Sequence, residues 1–281
     1  EKTVLFDTVD YSIGRQFIDN ITSLLDNRKL DYLVVNHMEP DHCALITQII
    51  SFYPALKLVA NKKTLGLISQ FYNVDMTERT VCVGDGDSLS TGKHNLKFYT
   101  APMVHWPEVM FTYDETDKIL FSADAFGTFG ELDGRIFNDE LDYRHGFMDE
   151  ARRYYANIVG KYGAQVQAVF KKLPSEIAYI CPLHGPIWRR DIPFILEKYQ
   201  AWSTYTPEEN GVFIAYASMY GDTELAASVL ASKLAERGMV NMKMVDVSSH
   251  HYSYHISDIF KYGTIVFAAP SYNMSVHPKM N

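Results

Sequence analysis

Asn36-His37-Met38-Glu39-Pro40-Asp41-His42 places four candidate metal ligands, His37, Glu39, Asp41 and His42, directly after the apolar run Leu33-Val34-Val35. The run reads as a buried strand, and loops at strand ends are where α/β folds collect their reactive groups. The arrangement recurs. Residues 96–100 read as a strand and lead into Ala101-Pro102-Met103-Val104-His105-Trp106. Residues 119–122 lead into Asp124, in Ser122-Ala123-Asp124-Ala125-Phe126-Gly127, and residues 177–181 into His184, in Cys181-Pro182-Leu183-His184-Gly185-Pro186. A lone His beside Gly or Pro is ordinarily a loop residue bonded to backbone. Four strand ends that each carry a His or a carboxylate are more than a satisfied core requires, and they predict a metal centre. Asp41 also reads as an N-cap for a helix over residues 43–50. His94 and His145 lack this placement and read as surface or structural residues.

Between the strands lie amphipathic stretches at residues 13–25, 62–71 and 149–172, spaced as helices. Residues 81–96 contain Asp85-Gly86-Asp87 and Thr91-Gly92, which predict antiparallel hairpin strands. The first part is therefore expected to be an α/β unit with a mixed sheet. The polar segment Tyr205-Thr206-Pro207-Glu208-Glu209-Asn210-Gly211 breaks the pattern. A βαβ unit follows, with strands at 212–216 and 243–247 around a helix at 223–237, then a helical stretch at 256–261 and a strand at 264–268. The boundary is expected near residue 207, giving one unit over 1–206 and another over 207–281. Both ends of the chain read as cut.

The remaining composition narrows the function classes. The 281 residues carry 26 Lys and Arg against 34 Asp and Glu, a net charge of −8, and 47% are hydrophobic. That is globular composition without the basic face of a nucleic-acid binder. No apolar run approaches the roughly 18 residues of a membrane span. The three cysteines, Cys43, Cys82 and Cys181, form no CxxC pair, which points to a reducing compartment, the cytoplasm, rather than a disulfide framework. His250, His251 and His255 precede a helical stretch and read as surface residues. Tyr154, Tyr155 and Tyr162 sit at helical spacing and read as packing.

The ligand segments resemble the metallo-β-lactamase-like domain of flavodiiron proteins. Hydrolytic relatives of that superfamily carry His-x-His-x-Asp-His; this chain has His37-x-Glu39-x-Asp41-His42, the flavodiiron form. A carboxylate in place of an imidazole makes the site harder and more anionic, which favours iron in oxygen chemistry over a zinc hydroxide. The run Ser122-Ala123-Asp124-Ala125-Phe126-Gly127-Thr128-Phe129-Gly130 is also similar to the family's. The resemblance implies a metallo-β-lactamase-like αββα sandwich followed by a partial flavodoxin-like doubly wound parallel sheet. It implies two irons, one held by His37, Glu39 and His105, the other by Asp41 and His184, with Asp124 bridging. His42 is kept in the ligand set; its counterpart ligates in some members and swings away in others. A bridging carboxylate suits metals roughly 3.5–4 Å apart. Trp106 and Glu39 would line the pocket.

Ala217-Ser218-Met219-Tyr220-Gly221-Asp222-Thr223-Glu224 lies between an expected strand and helix. A hydroxyl-rich, Gly-containing turn at a helix N-terminus can cradle a phosphate. The stretch lacks both GxxxxGK and GxGxxG, and resembles the FMN phosphate loop of flavodoxins, with Tyr220 where Ser or Thr is usual. Ser218, Met219, Tyr220, Gly221, Asp222 and Thr223 would hold the phosphate. Pro270, Ser271, Tyr272 and Asn273 would meet the flavin ring from the next strand end. A third flavin loop would lie beyond Asn281, and further residues would precede Glu1. The resemblance implies an oxidoreductase that passes electrons from FMN to a diiron centre and reduces O₂ to water or NO to N₂O. It also implies a rubredoxin-like or other donor protein and a head-to-tail homodimer or a tetramer. Two alternatives belong to other classes. One is a zinc hydrolase of the metallo-β-lactamase superfamily, against which Glu39 argues. The other is a flavodoxin-type carrier with a relict first domain, against which the complete ligand set argues.

Overall fold

The computed structural model describes residues 1–281, the side chain of Thr77 excepted. In chain order, β1 (Val4–Phe6), α1 (Gly14–Leu25), β2 (Tyr32–Val34), α2 (Pro40–Cys43), α3 (Ile46–Phe52), β3 (Lys57–Ala60), α4 (Lys62–Tyr72) and β4 (Thr80–Cys82) make the first half-layer. Its four strands pair in parallel in the order β1-β2-β3-β4. Then come β5 (Ser88–Ser90), β6 (Asn95–Thr100), β7 (Met110–Asp114), β8 (Ile119–Phe121), α5 (Met148–Tyr154), α6 (Gly163–Phe170), β9 (Tyr179–Cys181) and α7 (Ile192–Ser203). Their strands form a second sheet, β5-β6-β7-β8-β9, antiparallel except for the β8–β9 pair. The expected hairpin over 81–96 is thus β5 with β6, while residues 81 and 82 belong to the parallel sheet.

Strand periodicity explains the layering, because successive side chains point to opposite faces. Leu33 and Val35, with Leu58 and Ala60, face Ile21, Leu25, Ile46, Ile49 and Ile68 of the helices. Val34 and Val59 face the other way and meet Leu96, Phe98 and Met110 of the second sheet. Phe6 stacks on Phe121 between the sheets, ring centroids 3.7 Å apart. On the far face Tyr99, Phe111, Tyr113 and Leu120 pack against Tyr155, Val166, Ile195, Tyr199 and Trp202. The result is helices, sheet, sheet, helices, the sandwich that the resemblance implies.

The helix expected over 149–172 is real in direction but not continuous. Between α5 and α6 the backbone widens into a π turn at Tyr155–Val159 and tightens into a 3₁₀ turn at Gly160–Tyr162. Close approach is the reason for the glycine that restarts the helix: a Cβ on Gly163 would lie 2.3 Å from the carbonyl oxygen of Ser203.

The last segment contains β10 (Glu209–Tyr216), α8 (Asp222–Glu236), β11 (Met242–Asp246), α9 (Tyr252–Lys261), β12 (Tyr262–Ala268), β13 (Ser271–Tyr272) and β14 (Ser275–Val276). β11-β10-β12 is a parallel sheet and β13–β14 a small hairpin. The polar break at 205–211 is firmly tied down. Glu208 accepts hydrogen bonds from Arg152 Nε at 2.7 Å, Trp202 Nε1 at 2.6 Å and Lys198 Nζ at 2.9 Å. The polar break thus contains a buried junction between α5, α7 and β10.

His255 corrects the sequence reading. α9 packs along α5 and turns His255 inward, leaving it 8% exposed with neither ring nitrogen hydrogen-bonded. His250 and His251 are at the surface, and His251 Nδ1 caps α9 by accepting Ser253 N–H at 3.3 Å. Among the described residues, no helix is long and apolar enough to cross a membrane.

Candidate metal centre

β6 and β8 run in the same direction, since each is antiparallel to β7, and β9 is parallel to β8. Their C-terminal ends therefore emerge at one end of the second sheet. The loop after β2 arrives there from the first sheet, and two sheets meet at one point. Residues 36–42 are fixed by their backbone. The Asp7 carboxylate accepts Asn36 N–H at 2.7 Å, His37 N–H at 3.0 Å and Asn36 Nδ2 at 2.9 Å. Asn36 Oδ1 accepts Thr112 Oγ1 at 2.7 Å, tying the loop to β7. Thr8 Oγ1 and N–H both bond the carbonyl of His42, at 2.9 and 2.7 Å.

Two groups of donors result. His37, Glu39, His105 and Asp124 form one, and Asp41, His42 and His184 the other; within each group the possible ligand atoms lie within 4.8 Å of one another. In the first, His105 Nε2 is 3.0 Å from Glu39 Oε2 and 3.0 Å from Asp124 Oδ2. His37 Nε2 is 3.3 Å from Glu39 Oε2 and 3.6 Å from Asp124 Oδ2. In the second, His42 Nε2 is 3.3 Å from Asp41 Oδ2 and 3.0 Å from His184 Nε2. The other oxygen of Asp124, Oδ1, lies 3.1 Å from His42 Nε2 and 3.8 Å from His184 Nε2. One carboxylate thus faces both groups, one oxygen to each. All of the ligand residues expected from the sequence come together, His42 included.

Asp41 is not the N-cap of a following helix. Pro40 occupies the first turn of α2 and Glu39 is its cap, so Asp41 lies inside the turn, and α3 begins later with Leu45 as its cap. Proline's fixed φ starts the turn one residue early and so aims Asp41 into the site.

The electrostatics call for cations. Burial opposes charge on His37, but hydrogen bonds to Glu108 and Glu39 and the nearby Asp124 carboxylate outweigh it and push its pKa up to about 10. His105 is likewise pushed up to about 8 by Asp124 and Glu39 against burial. The hydrogen bonds from His105 and His37 hold Glu39 down at about 2. Burial raises Asp124, yet His105, His42 and His37 drive it far below the usual carboxylate range. Asp41 Oδ1 and Asp124 Oδ1 are buried without a hydrogen-bond partner. Buried acceptors facing imidazole nitrogens are what a dinuclear cation site requires, so these residues fit two metal ions.

Sequence reasoning missed two buried acids here, Asp7 and Glu108. Asp7 directly follows the strand-like Val4-Leu5-Phe6 and carries the same strand-end signal as the ligands. Burial pushes it up to about 6 despite its hydrogen bonds from the 36–37 backbone and the Asn36 side chain. Glu108 has only the weaker signal of standing just before a strand. Tyr154, read as packing, is buried and also lies over His184, ring centroids 5.4 Å apart.

The second expected site is on the other sheet. The parallel β10–β12 pairing sets Tyr216 beside Ala268, so the loops at 217–221 and 269–274 leave the same edge. Ser218 Oγ accepts Gly221 N–H at 3.0 Å. Gly221, at φ 93°, heads α8 with open space where a Cβ would stand. Tyr220 and Met219 are exposed, as is Tyr272 in the neighbouring loop. The strand, open turn and free helix N-terminus fit a phosphate.

Comparison with known proteins agrees with this geometry. Residues 1–185 match the model of the family described as ODP family beta lactamase. An anaerobic nitric oxide reductase flavorubredoxin from Vibrio vulnificus (strain YJ016) is 32% identical over 285 residues, covering 100% of this chain and 57% of that protein. The chain thus spans a little over half the length of that curated relative. Rubredoxin oxygen:oxidoreductase from Desulfovibrio gigas superposes with a TM-score of 0.91 at 31% identity, over 99% of this chain and 70% of that one. The flavodiiron protein from Giardia intestinalis gives 0.91 at 29% identity, over 99% and 67%.

Proposed function

The chain belongs to the flavodiiron proteins, with the β-lactamase-like ODP domain of that family over residues 1–185, and on that premise we propose that it is an oxidoreductase reducing O₂ to water or NO to N₂O. The observation that carries this reading is the donor set: four imidazoles and three carboxylates, with Asp124 facing both groups and Glu39 where a hydrolase would have a third His in the motif. Carboxylate-rich imidazole sites suit iron. Two irons, when bound, offer redox-active positions that polarise a diatomic, and FMN supplies the electrons.

The chain's own residues divide the work. His37, Glu39 and His105 would hold one metal and Asp41, His42 and His184 the other, with Asp124 presenting one oxygen to each group. The His37 and Asp124 side chains are fully or almost fully buried, whereas those of Glu39 and Asp41 are 35% and 39% exposed. The two partly exposed acids form the open side by which substrate and protons enter, and the buried residues form a rigid floor. Trp106 stands edge-on to His37, ring centroids 5.4 Å apart, and shields that imidazole from water.

Residues 1–206 form the diiron unit and 207–281 the FMN unit. Ser218, Met219, Tyr220, Gly221, Asp222 and Thr223 receive the phosphate, with Glu224 turned away onto Tyr216 Oη. Pro270, Ser271, Tyr272 and Asn273 meet the ring. A rubredoxin-type protein delivers electrons in the cytoplasm, and a head-to-tail homodimer or tetramer brings one subunit's flavin to its neighbour's metals.

The test is metal and flavin content of the intact protein purified without oxygen, followed by O₂ and NO consumption with a reduced rubredoxin as donor. Close to two irons per chain, a flavin spectrum and consumption of either gas support the reading. Zinc without flavin, with hydrolysis of a thioester or lactam, would replace it with the hydrolase alternative.

A further inference from the structure

We infer that Glu108, which lies outside the ligand set, is the positioning residue that decides which nitrogen of His37 is offered to the metal. Glu108 is 1% exposed. Its Oε1 lies 2.9 Å from His37 Nδ1 and 2.9 Å from the backbone nitrogen of Met38. The Met38 N–H can only donate, so Oε1 is an acceptor. An acceptor at Nδ1 requires Nδ1 to carry the proton. Once a cation displaces the second proton, the lone pair is therefore on Nε2, the nitrogen aimed at Glu39 Oε2 and Asp124 Oδ2.

The acid is held as rigidly as a ligand. Its own carbonyl accepts Asn61 Nδ2 at 2.6 Å, and Asn61 Oδ1 caps α4 by accepting Lys63 and Thr64 N–H. Glu108 therefore links the cap of α4, the start of β7 and the metal loop. Its second oxygen, Oε2, is buried without a hydrogen-bond partner, so the carboxylate's charge is balanced across the imidazole by the cation that His37 binds. Among the described residues, no other ligand histidine bonds a carboxylate through its second nitrogen. The effect of Glu108 is thus confined to the metal of His37, Glu39 and His105. Outer partners of ligating histidines raise ligand basicity and fix the tautomer.

This inference rests on the two-metal reading, and one experiment separates the two. The intact protein is stripped of metal and titrated with zinc(II) against a competing chelator, as the parent and as Glu108→Gln. In the amide the oxygen that accepts from His37 Nδ1 carries no charge, or the NH₂ faces that nitrogen instead; in either arrangement His37 becomes a weaker base toward the metal. The expected result is two sites in the parent, one of them weakened about 10–100-fold in the variant and the other unchanged. Two sites in the parent with both or neither weakened overturns the role of Glu108 alone. Fewer than two sites in the parent overturns the centre itself. Should Glu108→Gln not fold, ¹⁵N NMR of the zinc-loaded parent reads the tautomer directly. A protonated Nδ1 on His37 supports the assignment, and a protonated Nε2 overturns it.

Discussion

His42 and His184 meet nitrogen to nitrogen, Nε2 to Nε2 at 3.0 Å, with their rings at 73° to each other. Asp41 Oδ2 lies 3.3 Å from the first nitrogen and 3.4 Å from the second. Two imidazoles that present the same atom to one another need a shared proton or a shared cation, and three acceptors around one point favour the cation.

His42 is therefore expected to be a working ligand. His42→Ala should leave the metal of His37, Glu39 and His105 in place and weaken the other by about tenfold or more, the scale seen even when groups outside the ligand set are lost. Metal content after equilibration with a graded chelator checks this; two metals of unchanged affinity would show that His42 stands aside.

Removing the metals should cost stability, because only the folded chain assembles donors from both sheets. Each site contributes about 2.7 kcal/mol when free metal is at 100 times its dissociation constant. Urea unfolding with and without chelator should show a lower midpoint in the stripped protein at similar slope. Coincident midpoints would mean that the donors do not bind in the native state.

Gly185 follows His184 at φ 79°, and a Cβ there would stand 2.1 Å from Thr128 Cγ2. Gly185→Ala should destabilise the protein by more than about 1 kcal/mol and loosen the metal on His184. Adding Thr128→Ser removes the colliding methyl and should recover part of the loss, with the φ strain remaining. No recovery in thermal melts would mean that strain alone sets the cost.

The junction at Glu208 should respond to acid. Burial raises the pKa of Glu208, but Arg152, Lys198 and Trp202 outweigh it and leave the carboxyl below its ordinary value. A depressed folded pKa means stability that is fully present above the unfolded value of about 4.3 and lost as pH falls through the folded one. Glu208→Gln should flatten the fall in unfolding free energy below about pH 4.3. Glu208→Ala, which leaves the buried Arg152 with Asp149 as its remaining carboxylate partner, should cost less than the ~3–5 kcal/mol of a buried charge left fully unpaired. An unchanged acid limb in the Gln variant would place the acid sensitivity elsewhere.

Much of this was legible because the signals are local. Leu33-Val34-Val35, residues 119–121 and residues 179–181 alternate faces or run apolar, and each ends in a His or an acid. Asp41 as a cap failed because Pro40 starts its own turn first. His255 failed because its burial comes from α5, about a hundred residues earlier. The role of Glu208 was not legible for the same reason: within the polar break at 205–211, the partners that neutralise it arrive from α5 and α7.

The residues read alone carried the donor types, their positions at strand ends, an α/β unit with a mixed sheet and the phosphate-type turn after β10; the sandwich came from the resemblance those segments bear to a family. The former follow from side-chain period, strand-end placement or a turn residue within a few positions. Only the tertiary structure decided that one oxygen of Asp124 faces each histidine group, that His42 points inward and that Asp7 and Glu108 clamp the metal loop. Those relationships join residues from two sheets, and hydrogen-bond geometry and burial between distant segments exist only once the sheets have packed.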